Sequence, residues 1–503
     1  MKSHPMTPVD AAWAHIDGPA NSAVIVSIAL TRRPLDFDKV KAVYRERLTH
    51  FDRFSQRVTE RGFPPTPHWE ALPDFEIAQQ MHHVALPAPG NEAALAALVS
   101  DLASTPLDRA RPLWDVHVVD GVDGGSAVIT RMHHCIADGT ASLAIARVLY
   151  DDSPRARPAA RLPAKQRARS AAGLVGRVFT PALSLLEHSV EDVRSLVGAA
   201  VEAARHPEQV LQKAALVLAG AGTLAMDLLK SPDPKSPLKG PFGLEKRVAW
   251  SAPVSLADVK AIGAPFGAKI NDVLVAGMAG ALRAYLKGRG VDVDHTQLRA
   301  MVPVDLRPPE RAMQLGNEFG LVMHDLAIGS RDPLARLRRT KARMDELKRS
   351  PEAVAVLALF NLLGRVPKPL EDVAVQMFGS KASVVMTNVA GPKDTLYLAG
   401  VPIERIMFWV PHPGRELGMG ISILSYRGTA TLSVIADAHL VPDPETITAR
   451  FSREFAAMQA AVKRRQGRAS AEKAVRRGRA KAAEAVRADS AGSGRKPRAA
   501  TRG

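Results

Sequence analysis

The chain of 503 residues contains one cysteine, Cys135, so no internal disulfide can form and its stability rests on buried apolar surface. No window holds the roughly 18 to 20 uninterrupted apolar residues that a membrane-spanning helix needs. The two best runs, Ala214 to Met226 and Ala353 to Gly364, are shorter and flanked by charges; they fit core helices, or helices lying at a membrane interface. The N-terminal stretch MKSHPMTPVDAAW has no continuous apolar segment of the kind a secretory signal requires, which points to a cytoplasmic protein. Several catalytic signatures are missing as well. Neither HExxH nor paired CxxC occurs, leaving no familiar zinc spacing and an expectation of no metal. GxSxG is absent, and GMG at Gly418 to Gly420 lacks the third glycine of a dinucleotide fingerprint.

What is present is a composition 46% hydrophobic and a formal net charge of +17. The length allows two globular units of roughly 200 residues each. The charge is unevenly placed: Lys463 to Gly503 carries fourteen Lys or Arg against three acids, leaving +6 for everything before it. That tail is nearly devoid of large apolar residues and reads as a disordered or loosely helical basic arm. Such an arm suits an anionic leaflet or nucleic acid, or is simply solvated.

Alternation and helical spacing divide the rest. Residues 1–150 mix strands and helices: SAVIVSIAL reads as a strand, DKVKAVYRERL as a helix, and WDVHVVDGVDGGSAVITRM as a hairpin around a Gly/Asp turn. Residues 151–243 turn rich in Ala, Arg, Leu and Pro and read as a helical connection between units. Residues 244–462 form a second mixed unit, with an apolar helix INDVLVAGMAGALRAYL, strands RAMVPVDL, EFGLVMHDLAI and KASVVMTNV, an antiparallel meander from Ile403 to Asp437, and a last helix to about Val462. Residues 463–503 are the tail.

The densest chemistry is RMHHCIADGTASL, Arg131 to Leu143. It puts His133, His134 and Asp138 in one short turn between a strand and a helix. A neutral imidazole is the natural proton acceptor near pH 7. Asp138 is placed to organise the turn, by backbone contacts or by pairing with a distant arginine, and Gly139 to let the backbone turn before the helix. Cys135 is a weaker candidate nucleophile.

HHCIADG matches HHxxxDG, the signature of the acyl-CoA-dependent acyltransferase superfamily. Together with MTPVDAAW, RPLWDVHVVDG, SPLKGPFGLEKRVAW, KINDVLVAGMAGALRAYL, VPVDLRPPE, LGNEFG and TNVAGP, in order from about residue 6 to 462, it resembles the bacterial wax ester synthase/acyl-CoA:diacylglycerol acyltransferase family. TNVAGP has alanine where that family's pattern has proline, and the basic tail lies outside the pattern. The resemblance implies a two-domain α/β fold of the chloramphenicol acetyltransferase type, with mixed sheets and an interdomain tunnel. It also implies acyl-CoA as co-substrate with no permanently bound cofactor, a lipid alcohol as acceptor, and peripheral attachment to the inner face of the plasma membrane or to lipid inclusions. By that similarity His134 is the general base, with His133 and Asp138 supporting the turn.

The remaining motif residues carry weaker assignments. Pro112, Leu113 and Trp114 are expected to pack against the turn. Asn271 and Asp272 open the apolar helix, where capping explains a polar pair as well as chemistry does, and Asn271 is the better candidate for a polar group in the tunnel. Asp305 and Arg307 suit an interdomain pair or a substrate contact, and Thr387 and Asn388 end a strand from which they can reach the reaction centre. The alternatives are a superfamily enzyme acting on another hydroxyl or amine, and a non-catalytic lipid- or nucleic-acid-binding protein that uses the tail.

Overall fold

The computed structural model describes residues 3–62, 65–155, 231–308, 311, 314–350, 352–363, 368–412 and 416–492. Most of the expected helical connection, and with it the run 214–226, lies outside the described residues, while residues 231–243 contain no helix.

Two mixed sheets organise the molecule. With strands numbered in chain order, the first has the order β13 (Tyr397–Leu398), β14 (Val401–Trp409), β2 (Val24–Thr31), β7 (Gly125–His133), β6 (Trp114–Val122) and β5 (Met81–Ala85). The second has the order β11 (Phe319–Leu326), β10 (Leu298–Asp305), β12 (Val384–Ala390), β15 (Met419–Tyr426), β16 (Thr429–Asp437) and β8 (Lys246–Trp250), with β9 (Val254–Ser255) also paired to β16. A small sheet of β1 (Ser3–Pro5), β4 (Thr66–Ala71) and β3 (Gln56–Arg61) flanks the first. The hairpin read from the sequence is β6 and β7, paired from Trp114 opposite Met132 to Val122 opposite Gly125.

The apolar helix is found at Ile270–Gly288, buried along nearly its whole length among Leu326, Val384, Ile421 and Leu432 of the second sheet. A helix apolar on every side is stable only when enclosed, and the helix Pro444–Gly492 covers it through Phe451 and Met458.

Two expectations are corrected and a third is narrowed. The span from Ile403 to Asp437 is not one meander: β15 and β16 pair with each other, but β14 crosses to the first sheet and lies antiparallel to β2. The link between β14 and β15, residues 410–418, is longer than a tight hairpin turn and permits the crossing. Met407 and Trp409 pack there with Val26, Ile28 and Val248. Second, a helix unmarked in the sequence reading spans Lys368–Ser380; Pro369 falls in its first turn, where a missing N–H is tolerated. Third, of the two states expected for the tail, disordered or loosely helical, the helical one is found, continuing the last helix as far as Gly492. Burial of Ile447, Phe451, Phe455 and Met458 anchors that helix, and a run of Ala, Arg, Lys and Glu, all strong helix formers, propagates it.

Gly320 shows how closely the second sheet is covered: a Cβ there would lie 1.8 Å from the carbonyl oxygen of Ala353. Gly320→Ala is expected to destabilise the protein by about 1–3 kcal/mol or more, seen as a lowered thermal unfolding midpoint.

Candidate active site

Strand β7 ends at His133, and the helix Gly139–Leu149 begins six residues later. Asp138 caps that helix, accepting from the Ala141 amide at 2.8 Å, as short polar residues do at this position. The same carboxylate is gripped by both terminal nitrogens of Arg307, at 3.0 and 2.8 Å, and accepts from the Glu318 amide at 3.0 Å. Both partners are buried. Arg307 also donates to the Gly316 carbonyl at 2.8 Å, and Gly316 adopts φ 111°, a conformation that favours glycine. Asp138 thus ties the histidine turn to the other half of the molecule without a hydrogen bond to either imidazole. Arg307 forms the interdomain ion pair; Asp305 instead accepts from the Thr140 hydroxyl at 2.9 Å, at an exposed position.

His133 is 1% exposed. Its Nδ1 accepts from the Cys135 amide at 3.1 Å, its own amide donates to the Leu113 carbonyl at 2.9 Å, and its Nε2 lies 3.7 Å from Asp17. Burial pushes the Asp17 carboxyl up, but His133, the Ala23 amide and Arg109 together bring it down to about 2. His133 is an internal brace of the turn.

His134 faces a different environment. Its ring stacks on Trp13, centroids 3.9 Å apart and planes 13° apart, and its Nδ1 is 2.9 Å from Asn317 Oδ1. The Asn317 amide nitrogen donates to Asp10 Oδ1 and to the His134 carbonyl, each at 2.8 Å. Both of those groups are acceptors only, so the orientation of the Asn317 amide is fixed and its oxygen must face the imidazole. His134 Nδ1 therefore carries the proton, and Nε2 keeps a free lone pair. Arg53 holds Asp10 from the other side at 2.7 Å and donates to the Cys135 and Ile136 carbonyls at 3.1 and 2.8 Å. Burial pushes the His134 pKa down to about 4, although Asp138 and the Asn317 hydrogen bond act to raise it; the ring is neutral at physiological pH.

Asn317, Asp10 and Arg53 were not singled out from the sequence. Asn317 lies in LGNEFG and Asp10 in MTPVDAAW, both visible as motifs, but pairing them needs the fold, since 307 residues separate them.

A cavity of about 390 Å³ lies between the sheets and is walled by both halves of the chain: Trp13, His134 and Ile145 from one, Met301, Phe319 and Val385 from the other. Thr140, Asp305 and Asn388 border it on the exposed side, whereas Tyr44, Leu48, Phe54 and Leu149 border it where the chain is buried. His134, Asp138, Gly139, Asp305, Thr387 and Asn388 all line it. Asn271 does not line it, and instead accepts from Asn388 at 2.7 Å. Asp272 accepts from the Lys269 amide at 2.8 Å, a capping contact. Pro112, Leu113 and Trp114 lie outside the cavity wall; Trp114 packs edge-on against Phe54 and donates to its carbonyl at 3.0 Å. Gly139 sits at an ordinary helical position with open space where a Cβ would be, so no backbone freedom is used there. Burial pushes the Cys135 thiol well above its usual range, which removes it as a nucleophile. Among the described residues no His, Cys, Asp or Glu group is arranged to hold a metal ion.

Two lobes, each with a mixed sheet, enclosing HHxxxDG at a shared cavity define the CoA-dependent acyltransferase fold. Solved structures of that kind cover most of the chain. A wax ester synthase/diacylglycerol acyltransferase from Marinobacter aquaeolei VT8 aligns over 92% of this chain and 100% of its own, with TM-score 0.63 and 21% identity. The first condensation domain of the calcium-dependent antibiotic synthetase aligns over 92% and 96%, with TM-score 0.56 and 14% identity. The family models narrow the class: residues 6–274 match the wax ester synthase/diacylglycerol acyltransferase catalytic domain and residues 315–459 the WS/DGAT C-terminal domain. The chain belongs to the wax ester synthase/diacylglycerol acyltransferase family. Relatives include a probable diacylglycerol O-acyltransferase of Mycobacterium tuberculosis, tgs1, 29% identical over 88% of this chain and 93% of its own. A second from that organism, tgs2, is 30% identical over 78% and 84%.

Because Arg307 is buried against Asp138, removing the negative charge strands a cation in the interior. Asp138→Asn is expected to cost roughly 3–5 kcal/mol, read as a drop in the urea midpoint with unchanged slope.

Proposed function

We propose that the protein transfers a fatty acyl group from coenzyme A to the hydroxyl of a lipid alcohol, diacylglycerol or a long-chain alcohol, with His134 as general base. The observation that carries this reading is the hydrogen-bond chain from Asp10 through Asn317 to His134 Nδ1, which leaves Nε2 as the free acceptor of a neutral imidazole in the cavity wall. Nε2 takes the proton of the acceptor hydroxyl as its oxygen attacks the thioester carbonyl. The tetrahedral intermediate then collapses to the ester, and the departing thiolate recovers the proton as coenzyme A. A positioned base contributes about 10²- to 10⁴-fold, and holding both substrates together in a water-poor cavity supplies much of the rest. Family membership and the names of the relatives support the same acceptor class. The apolar wall suits a chain whose binding is driven by about 0.8 kcal/mol per buried methylene.

Location is part of the proposal: a cytoplasmic enzyme held against the inner leaflet or a lipid inclusion. The exposed Lys and Arg residues of the basic helix between Lys463 and Lys481 support it, since each Lys or Arg near an anionic surface contributes about 1 kcal/mol. Truncation after Val462 is expected to abolish salt-sensitive co-sedimentation with phosphatidylserine-containing vesicles; retained co-sedimentation would refute this attachment.

The assay for the reaction offers palmitoyl-CoA with dioleoylglycerol and hexadecanol together and identifies the esters formed. His134→Ala is expected to reduce kcat by at least about 10²-fold with the fold intact, and Asn317→Leu to lower kcat more than it raises KM. Because burial holds the His134 pKa near 4, the base stays unprotonated well below the usual imidazole range. The acid limb of kcat/KM should therefore fall near pH 4; a limb near 6.5 would contradict the buried neutral base. The sign for stability runs the same way. The unfolded histidine takes up a proton below about 6.5 and the folded one only below about 4, so its contribution is complete above 6.5 and is lost as pH falls towards 4.

A further inference from the structure

The enclosed part of the cavity is not uniformly apolar. Ser27 on β2 and Thr130 on β7 are opposed in the antiparallel register, and both line the cavity at half-buried positions. Alternate residues of a strand share a face, so Thr130, Met132 and His134 point the same way, as their shared place in the cavity wall shows. Going from His134 along β7, the wall is first apolar, with Met132 and, on β2, Ile25; it then presents a pair of hydroxyls. Tyr44 and Tyr150 close this end, both buried.

These hydroxyls are poorly satisfied by the protein. The Ser27 side chain makes no hydrogen bond among the described residues, and the Thr130 hydroxyl meets the Tyr44 hydroxyl only at 3.4 Å. Placing unpaired polar groups in an apolar enclosure is unfavourable, and a purely hydrocarbon chain lying along this wall would leave them so. A chain bearing an oxygen at that level would pair them. The four residue steps from Thr130 to His134 span about 13 Å at roughly 3.3 Å per step. That equals about ten carbons of an extended zigzag chain, in which each bond of roughly 1.5 Å advances about 1.3 Å.

We infer that this arm of the cavity selects an oxygenated fatty chain, one carrying a hydroxyl or keto group about ten carbons from the reacting centre, recognised by Ser27 and Thr130. The inference rests on the acyltransferase reading for the chemistry at His134, but the recognition itself concerns binding alone. The chain has two chemical sources, the acyl thioester and the alcohol acceptor, and the same oxygen on either would satisfy the hydroxyl pair.

The test uses the full chain and two series of sixteen-carbon compounds with a hydroxyl moved stepwise from carbon 6 to carbon 14. One series is presented as acyl-CoA with hexadecanol as acceptor, the other as alcohols with palmitoyl-CoA as donor. In one of the series kcat/KM should peak near carbon 10, about three- to tenfold above the unsubstituted chain, the gain of one neutral hydrogen bond. The series that peaks identifies which substrate occupies the arm. In Ser27→Ala/Thr130→Val the ratio of oxygenated to plain substrate should fall to about one. Flat profiles in both series, or a ratio unaltered by the double substitution, overturn the inference and leave the hydroxyls as sites for water. Titration calorimetry with the hydroxylated and plain free fatty acids reads the same preference without turnover. Selective binding without any ester product would therefore break the reaction proposed for His134 while sustaining this one.

Discussion

The loop Gly316–Glu318 docked on the histidine turn is the contact on which the rest of the site depends. It places three backbone or side-chain groups of one lobe against the other: the Gly316 carbonyl on the Asp138 amide, the Asn317 amide between Asp10 and His134, and the Glu318 amide on Asp138. Each is buried, and a buried polar group without a partner costs more than the bond it would have formed. The arrangement therefore tolerates little slack. The histidine comes from one half of the chain, but the group that fixes which of its nitrogens holds the proton comes from the other.

The two charged pairs beside the turn divide the work. Asp138 with Arg307 closes the lobes and caps a helix; Asp10 with Arg53 aligns an amide whose own polarity acts on the imidazole. Neither carboxylate makes a hydrogen bond to His134. Burial keeps the ring's pKa low, and a neutral partner such as Asn317 offsets that less than a carboxylate hydrogen-bonded to the ring, which would stabilise the imidazolium. The base is consequently weak but unprotonated at physiological pH.

Much of this was legible in the residues. Alternation gave the β6–β7 hairpin, and the strand ending at His133 followed from it. Asp138 was expected to organise the turn by backbone contacts or by pairing with a distant arginine, and it accepts from two backbone amides and pairs with Arg307. The family motifs identified the fold and the reaction class. What sequence could not display was partnership at a distance: Asn317 stood inside a recognised motif, yet only folding brings it to His134. The path of β14 was hidden for a related reason, because a strand's alternation reports which faces are buried and not which sheet buries them. The tail was legible only in part. Its lack of apolar residues argued against independent folding, but a helix already nucleated by Phe451 and Phe455 needs only good helix formers to continue.

The crossing of β14 has a mechanical consequence. Six of its residues are in register with β2 of the first sheet, so the halves of the molecule share a backbone ladder besides touching through side chains. Swinging them apart like a clamshell would unzip that ladder. The way to the imidazole that leaves the ladder intact is the exposed border of the cavity at Thr140, Asp305 and Asn388.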